Sequence, residues 1–245
     1  MDERTVKELA QRTAKASPQE LLDAVLETFG RRVALATSLG AEDQVLTDML
    51  CRLTKRPQIF TLDTGRLPQQ TYDTIEATNL RYHIRIEMIF PDTTDVEALT
   101  TEHGPNSFCQ SVTARENCCY VRKVLPLRRR LSGLEAWITG LRREQSPARG
   151  GVERIAWDEA NGRVKVCPLA DWTTEQVWQY IRDNKVPYNP LHDQGYASIG
   201  CACCTRPVKP GEDIRAGRWW WEAPAGGKEC GLHVIDGKLV PRKDW

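Results

Sequence analysis

The 245-residue sequence has almost no net charge: 34 Lys and Arg stand against 33 Asp and Glu, for a formal +1. A protein that coats a polyanion normally carries a larger basic excess, so no nucleic-acid partner is expected. No strictly apolar run is longer than four residues, Val33-Ala34-Leu35-Ala36 being one, far short of the ~20 needed to span a bilayer. The opening Met1-Asp2-Glu3-Arg4 leads into no apolar signal core, so the expectation is a soluble, cytoplasmic protein without a membrane partner. Internal repeats and low-complexity linkers are also missing. The 40% of apolar residues is nevertheless enough to bury a sizeable core.

Cysteine is not scarce, but the pattern of a secreted disulfide framework is absent. Nine cysteines, at 51, 109, 118, 119, 167, 201, 203, 204 and 230, make an odd count with several adjacent pairs. In a reducing compartment such clustered thiols more often mean metal ligation or catalysis.

Ser17-Pro18-Gln19-Glu20 reads as a capping box opening a helix that runs to Phe29 and stops at Gly30. Short apolar strands follow at Arg32 to Thr37, Gln58 to Leu62, Ile84 to Phe90 and Ala136 to Thr139. Helical spacing of Val45, Leu46, Met49, Leu50 and Leu53, then Pro68 to Tyr82, then Ser111 to Leu131, fills the gaps between them. Such alternation predicts βαβ units and a doubly wound, mostly parallel α/β sheet. Asn161-Gly162 predicts a β-hairpin with a type I′ turn, and Thr173-Thr174-Glu175-Gln176 opens a further helix. The expected organisation is a helical segment over 1–31, an α/β domain over 32–200 and an irregular tail over 201–245.

Ligands of such sheets sit at the carboxyl ends of the strands. The first strand ends in Thr37-Ser38-Leu39-Gly40-Ala41-Glu42-Asp43, the second in Leu62-Asp63-Thr64-Gly65-Arg66, and the fourth in Thr139-Gly140-Leu141-Arg142-Arg143-Glu144-Gln145-Ser146. None is a Walker loop or a Gly-x-Gly-x-x-Gly fingerprint, and a plain strand-to-helix turn explains any one of them. Three together, carrying Gly with hydroxyl or Arg residues, suggest one pocket for a phosphorylated ligand.

Cys118-Cys119 falls on a predicted helix, and Cys201-Ala202-Cys203-Cys204 in the tail. Neighbouring helical residues point about 100° apart, so both can serve one centre only if it holds several metal atoms or the helix is distorted. Four thiolates suit tetrahedral zinc or a [4Fe–4S] cluster; spacing alone does not separate these, although a vicinal pair fits zinc poorly. Cys51 and Cys167, isolated in apolar settings, read as core residues. Cys230, in Lys228-Glu229-Cys230-Gly231-Leu232-His233, reads as a nucleophile on a glycine-rich segment, with Lys228, His233, Arg215 and Arg218 as cations able to favour its thiolate. The Trp219-Trp220-Trp221 run more often packs a tail onto a core than forms a stacking platform.

Taken together, Cys118-Cys119, Cys201-x-x-Cys204, Thr205-Arg206-Pro207-Val208, Gly217-Arg218-Trp219-Trp220-Trp221-Glu222 and Glu229-Cys230-Gly231-Leu232-His233 closely resemble the assimilatory adenylyl-sulfate (APS) reductases, the [4Fe–4S] branch of the phosphoadenylyl-sulfate reductase family. The likeness runs from about Arg32 to His233. It implies an adenine-nucleotide α-hydrolase-like fold and one [4Fe–4S] cluster per subunit on Cys118, Cys119, Cys201 and Cys204, with Cys203 an additional thiol. It also implies a catalytic Cys230. Lys123, Arg149, Arg215, Arg218 and His233 would bind the phosphate–sulfate end, and Ser38, Gly40, Leu62 and Gly140 the nucleotide. Ser38-Leu39-Gly40 departs from the family's hydroxyl-rich form of that loop.

The implied reaction is attack of the Cys230 thiolate on the sulfate sulfur, loss of AMP, and release of sulfite by thioredoxin or a glutaredoxin-like reductant. The cluster would be a structural and electrostatic element beside Lys123, and a homo-oligomer is compatible with the resemblance. Reduction of 3′-phosphoadenylyl sulfate (PAPS) is the alternative; the cluster ligands favour APS. An ATP-dependent tRNA thiolation enzyme would need a Ser-Gly-Gly-x-Asp-Ser loop. A zinc-stabilised nucleic-acid-binding module would leave the anion pocket and Cys230 unexplained.

Overall fold

The computed structural model of the chain describes residues 3–222. In chain order these form α1 (Glu3–Arg12), α2 (Pro18–Phe29), β1 (Val33–Thr37), α3 (Ala41–Leu53), β2 (Ile59–Leu62), α4 (Gln69–Tyr82), β3 (Glu87–Ile89) and α5 (Thr93–His103). Next come α6 (Val112–Cys119), a π-helical turn (Tyr120–Val124), α7 (Leu125–Leu131), β4 (Ala136–Ile138), β5 (Ile155–Asp158), β6 (Arg163–Val166) and α8 (Thr174–Asn184). No described helix is long and apolar enough to cross a membrane.

The strands join in one six-stranded sheet, ordered β3-β2-β1-β4-β6-β5. All neighbours are parallel except the β5–β6 pair. This is the doubly wound architecture expected from the alternating pattern. Strands buried on both faces need apolar residues at successive positions, and β1 provides them by sending alternate side chains to opposite layers. Val33 and Leu35 join the core shared with α2, α3 and α8. Ala34 packs with Phe60, Leu127, Leu131 and Trp137 under α7. The register sets Leu35 beside Ile59 and Val33 beside Ala136.

Local signals explain the helix ends. Ser17 and Glu20 form the expected capping box on α2, and Thr173 with Gln176 does the same for α8. Three details differ from expectation. The β5–β6 hairpin turns through the four residues 159–162 rather than a two-residue type I′ turn, with both Asn161 and Gly162 N–H donating to the Asp158 carbonyl and Gly162 at φ 61°. β3 is confined to 87–89 and pairs only with β2. The helix expected over 111–131 widens into a π-helical turn directly after Cys119, a feature common at functional sites.

Candidate functional site: two cavities sharing Lys123

The strand order reverses between β1 and β4, and the crevice above that point is where open α/β sheets bind ligands. A cavity of about 690 Å³ opens there. It brings together Ser38, Gly40, Leu62, Lys123, Gly140, Arg149, Arg215 and Arg218. Eight of the nine expected substrate contacts therefore converge; His233, like the expected nucleophile Cys230, lies outside the described residues.

The cavity's cations come from separate elements. Lys123 projects from the π-helical turn. Arg149 is buried beside Gln145, whose Oε1 accepts from its guanidinium. Gln145 Nε2 in turn donates to the Gly140 carbonyl at 3.2 Å. Arg218, 6% exposed, donates to Ser198 Oγ at 3.3 Å and to the Ile199 carbonyl at 3.2 Å. Its guanidinium lies 4.8 Å from the centre of the Trp219 ring, with Arg115 at 4.5 Å. Trp219 is buried and Trp220 exposed, so the tryptophan run does pack the tail onto the body.

Several organising side chains were not singled out from the sequence. Asp43 accepts from the Ser38 N–H at 2.6 Å, the Ser38 hydroxyl at 2.7 Å and the Gly140 N–H at 3.0 Å. Its burial raises the carboxyl to about 6, with the Ser38 bonds pulling the other way. Arg142, 2% exposed, donates to Glu42 at 2.9 Å, Glu144 at 2.9 Å, the Trp172 carbonyl at 2.9 Å and Thr174 at 3.1 Å. It thereby ties the β1 and β4 loops to α8. Burial lowers the His192 imidazole at the cavity rim, although its Nδ1 lies 2.8 Å from the Tyr196 carbonyl.

A second, smaller cavity is lined by Cys118, Cys119, Cys201, Cys203 and Cys204, together with Arg66, Arg115, Arg122 and Trp219. Lys123 lines both cavities. The four expected ligand cysteines are thus assembled from α6 and the segment after α8. The Thr64 hydroxyl lies 3.2 Å from Cys201 Sγ, and the Ala202 N–H donates to the Arg66 carbonyl at 2.8 Å. Cys203 Sγ sits 3.7 Å from Cys204 Sγ and 3.8 Å from an Arg66 nitrogen. Hydrogen bonding from Cys204 and then Arg66 lowers the Cys203 thiol, while the donating Cys204 thiol is pushed up.

Among the described residues, no three His, Cys, Asp or Glu side chains close on a point as a single ion requires. Among the described residues, the buried N–H groups at Arg122 Nε and Trp221 Nε1 find no hydrogen-bond acceptor, and Trp221 packs against these cysteines. Elsewhere, Cys167 is buried and its thiol is raised to about 11 by burial, as expected of a core residue. Cys51 is partly buried, and Cys109 is exposed.

Residues 32–207 match the family described as phosphoadenosine phosphosulfate reductase domain. The chain is 51% identical over 221 residues to an adenosine 5′-phosphosulfate reductase of Allochromatium vinosum, covering 90% of this chain and 86% of that one. It is 46% identical over 236 residues to the chloroplastic 5′-adenylylsulfate reductase 3 of Arabidopsis thaliana, covering 92% of this chain and 50% of the plant protein. The phosphate complex of a phosphoadenylyl-sulfate (PAPS) reductase from Candida auris superposes with a TM-score of 0.71 at 29% identity, over 85% of this chain and 98% of that one. An FMN adenylyltransferase of Candida glabrata shares the fold, with a TM-score of 0.56 at 16% identity over 94% of this chain and 81% of that one.

Proposed function

Because the chain belongs to the phosphoadenosine phosphosulfate reductase family, we propose that it reduces adenylyl sulfate to sulfite and AMP in sulfate assimilation, through an S-sulfo intermediate on Cys230. The observation that carries this reading is the convergence of Lys123, Arg149, Arg215 and Arg218 on one cavity at the switch point of the sheet.

The substrate presents a neutral nucleoside and an anionic phosphate–sulfate end. The loops after β1, β2 and β4 suit the first, and the four cations suit the second. The Cys230 thiolate attacks the sulfate sulfur. A new S–S bond forms, the S–O bond to phosphate breaks, and AMP leaves with the electron pair. The leaving oxygen takes the electron pair as part of a phosphate, an anion stable near neutral pH, so strong acid catalysis is unnecessary. The barrier is electrostatic, a thiolate approaching an anion, and each charge-assisted contact that offsets it contributes about 1.5–3 kcal/mol. A dithiol reductant such as thioredoxin then attacks Cys230 Sγ and releases sulfite; its second thiol closes the disulfide.

The five-thiol cavity fits a [4Fe–4S] cluster better than zinc. Cys118 and Cys119 are neighbours on one helix and so suit a centre of several metal atoms, and the Arg122 and Trp221 N–H groups, without an acceptor among the described residues, could donate to inorganic sulfide. Cys118, Cys119, Cys201 and Cys204 would hold it. When bound it supplies a fixed local field beside Lys123 rather than electrons for the substrate. Anaerobic sulfite release from APS and from PAPS, each with thioredoxin, tests the proposal; release from neither would overturn it, and release from PAPS alone would favour the phosphorylated substrate.

A further inference from the structure

Asp43, in the first turn of α3, is 6% exposed, and its carboxylate is where two loops meet. Oδ2 accepts both donors of Ser38, at 2.6 and 2.7 Å, and Oδ1 accepts the Gly140 N–H at 3.0 Å. The approach is close enough to exclude any side chain at Gly140. A Cβ there would fall 2.5 Å from Asp43 Oδ1 and 2.8 Å from Glu42 Cβ. Leu39, between Ser38 and Gly40, is held at φ 60° while 1% exposed. A leucine keeps that left-handed conformation only where its surroundings impose it.

A carboxylate is the one side chain of this size with acceptors at both ends and no donor. An asparagine here would turn an N–H towards a donor on one loop or the other. Asp43 achieves this at the expense of a buried charge, which burial disfavours. The charge lets it accept all three donors at once. Ser38, Gly40, Asp43 and Gly140 all line the large cavity, so the lock forms part of the wall of the pocket.

We propose that Asp43 is a positioning residue for the sulfonucleotide: through Ser38 and Gly140 it fixes the spacing of the β1 and β4 loops that seat the adenylyl group. Because it engages both Ser38 donors, the phosphate–sulfate end is left to Lys123 and the arginines. The inference rests on the pocket assignment made under the proposed function.

The experiment uses the full-length, cluster-containing protein and compares Asp43→Asn, Ser38→Ala and the double variant. AMP binding is read by calorimetry, and sulfite release from APS gives kcat and KM. Asp43→Asn should raise KM and weaken AMP binding by roughly 10- to 100-fold, the scale of a lost charge-assisted hydrogen bond. Its kcat should be nearly unchanged, its iron content intact and its melting temperature no lower than wild type. Ser38→Ala should raise KM by less, since the Asp43–Gly140 bond survives. The double variant should be little worse than Asp43→Asn, because both act on one contact. A variant that loses kcat at constant KM, or melts well below wild type, makes Asp43 a structural residue and overturns the proposal. Unchanged KM in Ser38→Ala also overturns it. Wild-type protein that neither binds AMP nor releases sulfite refutes the pocket assignment itself, whereas active wild type matched by Asp43→Asn refutes only the role of Asp43.

Discussion

The Thr64 hydroxyl lies 3.2 Å from Cys201 Sγ, and Thr64 also lines the large cavity. One side chain therefore faces both the substrate pocket and the sulfur cavity. With a cluster bound, Thr64→Val would remove a donor from a ligating thiolate and leave that sulfur more electron-rich. The reduction potential should fall while iron content is kept, as read by spectroelectrochemistry. An unchanged potential would mean that the hydroxyl does not donate to Cys201.

The cluster assignment makes a compositional prediction. Protein prepared without oxygen should contain about four iron and four sulfide per chain. Cys204→Ser should lose most of it, and Cys203→Ser should retain it. Stoichiometric zinc without sulfide would overturn the assignment.

Cys230→Ser separates binding from chemistry. It should bind AMP as wild type does, because the pocket cations come from other residues, yet form no adduct, a serine hydroxyl being a far weaker nucleophile than a thiolate. Wild type given APS without reductant should gain the mass of one SO₃ and release about one AMP per site. Turnover of APS by the serine variant at the normal rate would rule out a catalytic Cys230.

The four cations should not be equivalent. Arg218 is buried against Trp219, so Arg218→Ala should lower the melting temperature as well as raise KM. Lys123→Ala should slow adduct formation by about 10- to 100-fold and leave Cys230 open to alkylation. Equal loss of alkylation in the Lys123 variant would instead point to a displaced nucleophile.

Asp43 gives a pH signature in stability. Its folded value of about 6 stands above the ordinary 3.8, so between those pH values the folded state holds the extra proton. Its contribution is greatest below pH 3.8 and is lost as pH rises through 6, by ~3 kcal/mol in all. Denaturation of wild type against Asp43→Asn across that window should show the variant without this slope; parallel curves would contradict it.

The sheet was legible wherever burial left a simple imprint. β1, β2 and β4 are short apolar runs ended by turn residues, and the capping boxes mark α2 and α8. α5 was missed because only Leu99 is buried along it, too little to make a stripe. The π-helical turn was hidden because one wide turn barely disturbs the apolar spacing on either side. In the site, the clustered cysteines and the arginines at 215 and 218 stood out by residue type, whereas Lys123 and Arg149 came from the family resemblance; the structure places them on two adjoining cavities. Asp43 could not, since it looks like an ordinary acidic residue at a helix start and its partner Gly140 is 97 positions away. Its role exists only through space.

The five-thiol cavity draws Cys118 and Cys119 from α6, before β4, and Cys201, Cys203 and Cys204 from beyond α8. During synthesis the six strands and α8 therefore leave the ribosome before the second cysteine group does. A nascent chain carrying only Cys118 and Cys119 has half a ligand set, held on a helix that has no tail beside it. If the cavity holds the proposed cluster, loading cannot be completed until the last cysteine group has been made, so it would be a late event in the life of each molecule. How fully such a site is occupied would then depend on the supply of assembled clusters at that late stage, as much as on the affinity of the finished protein.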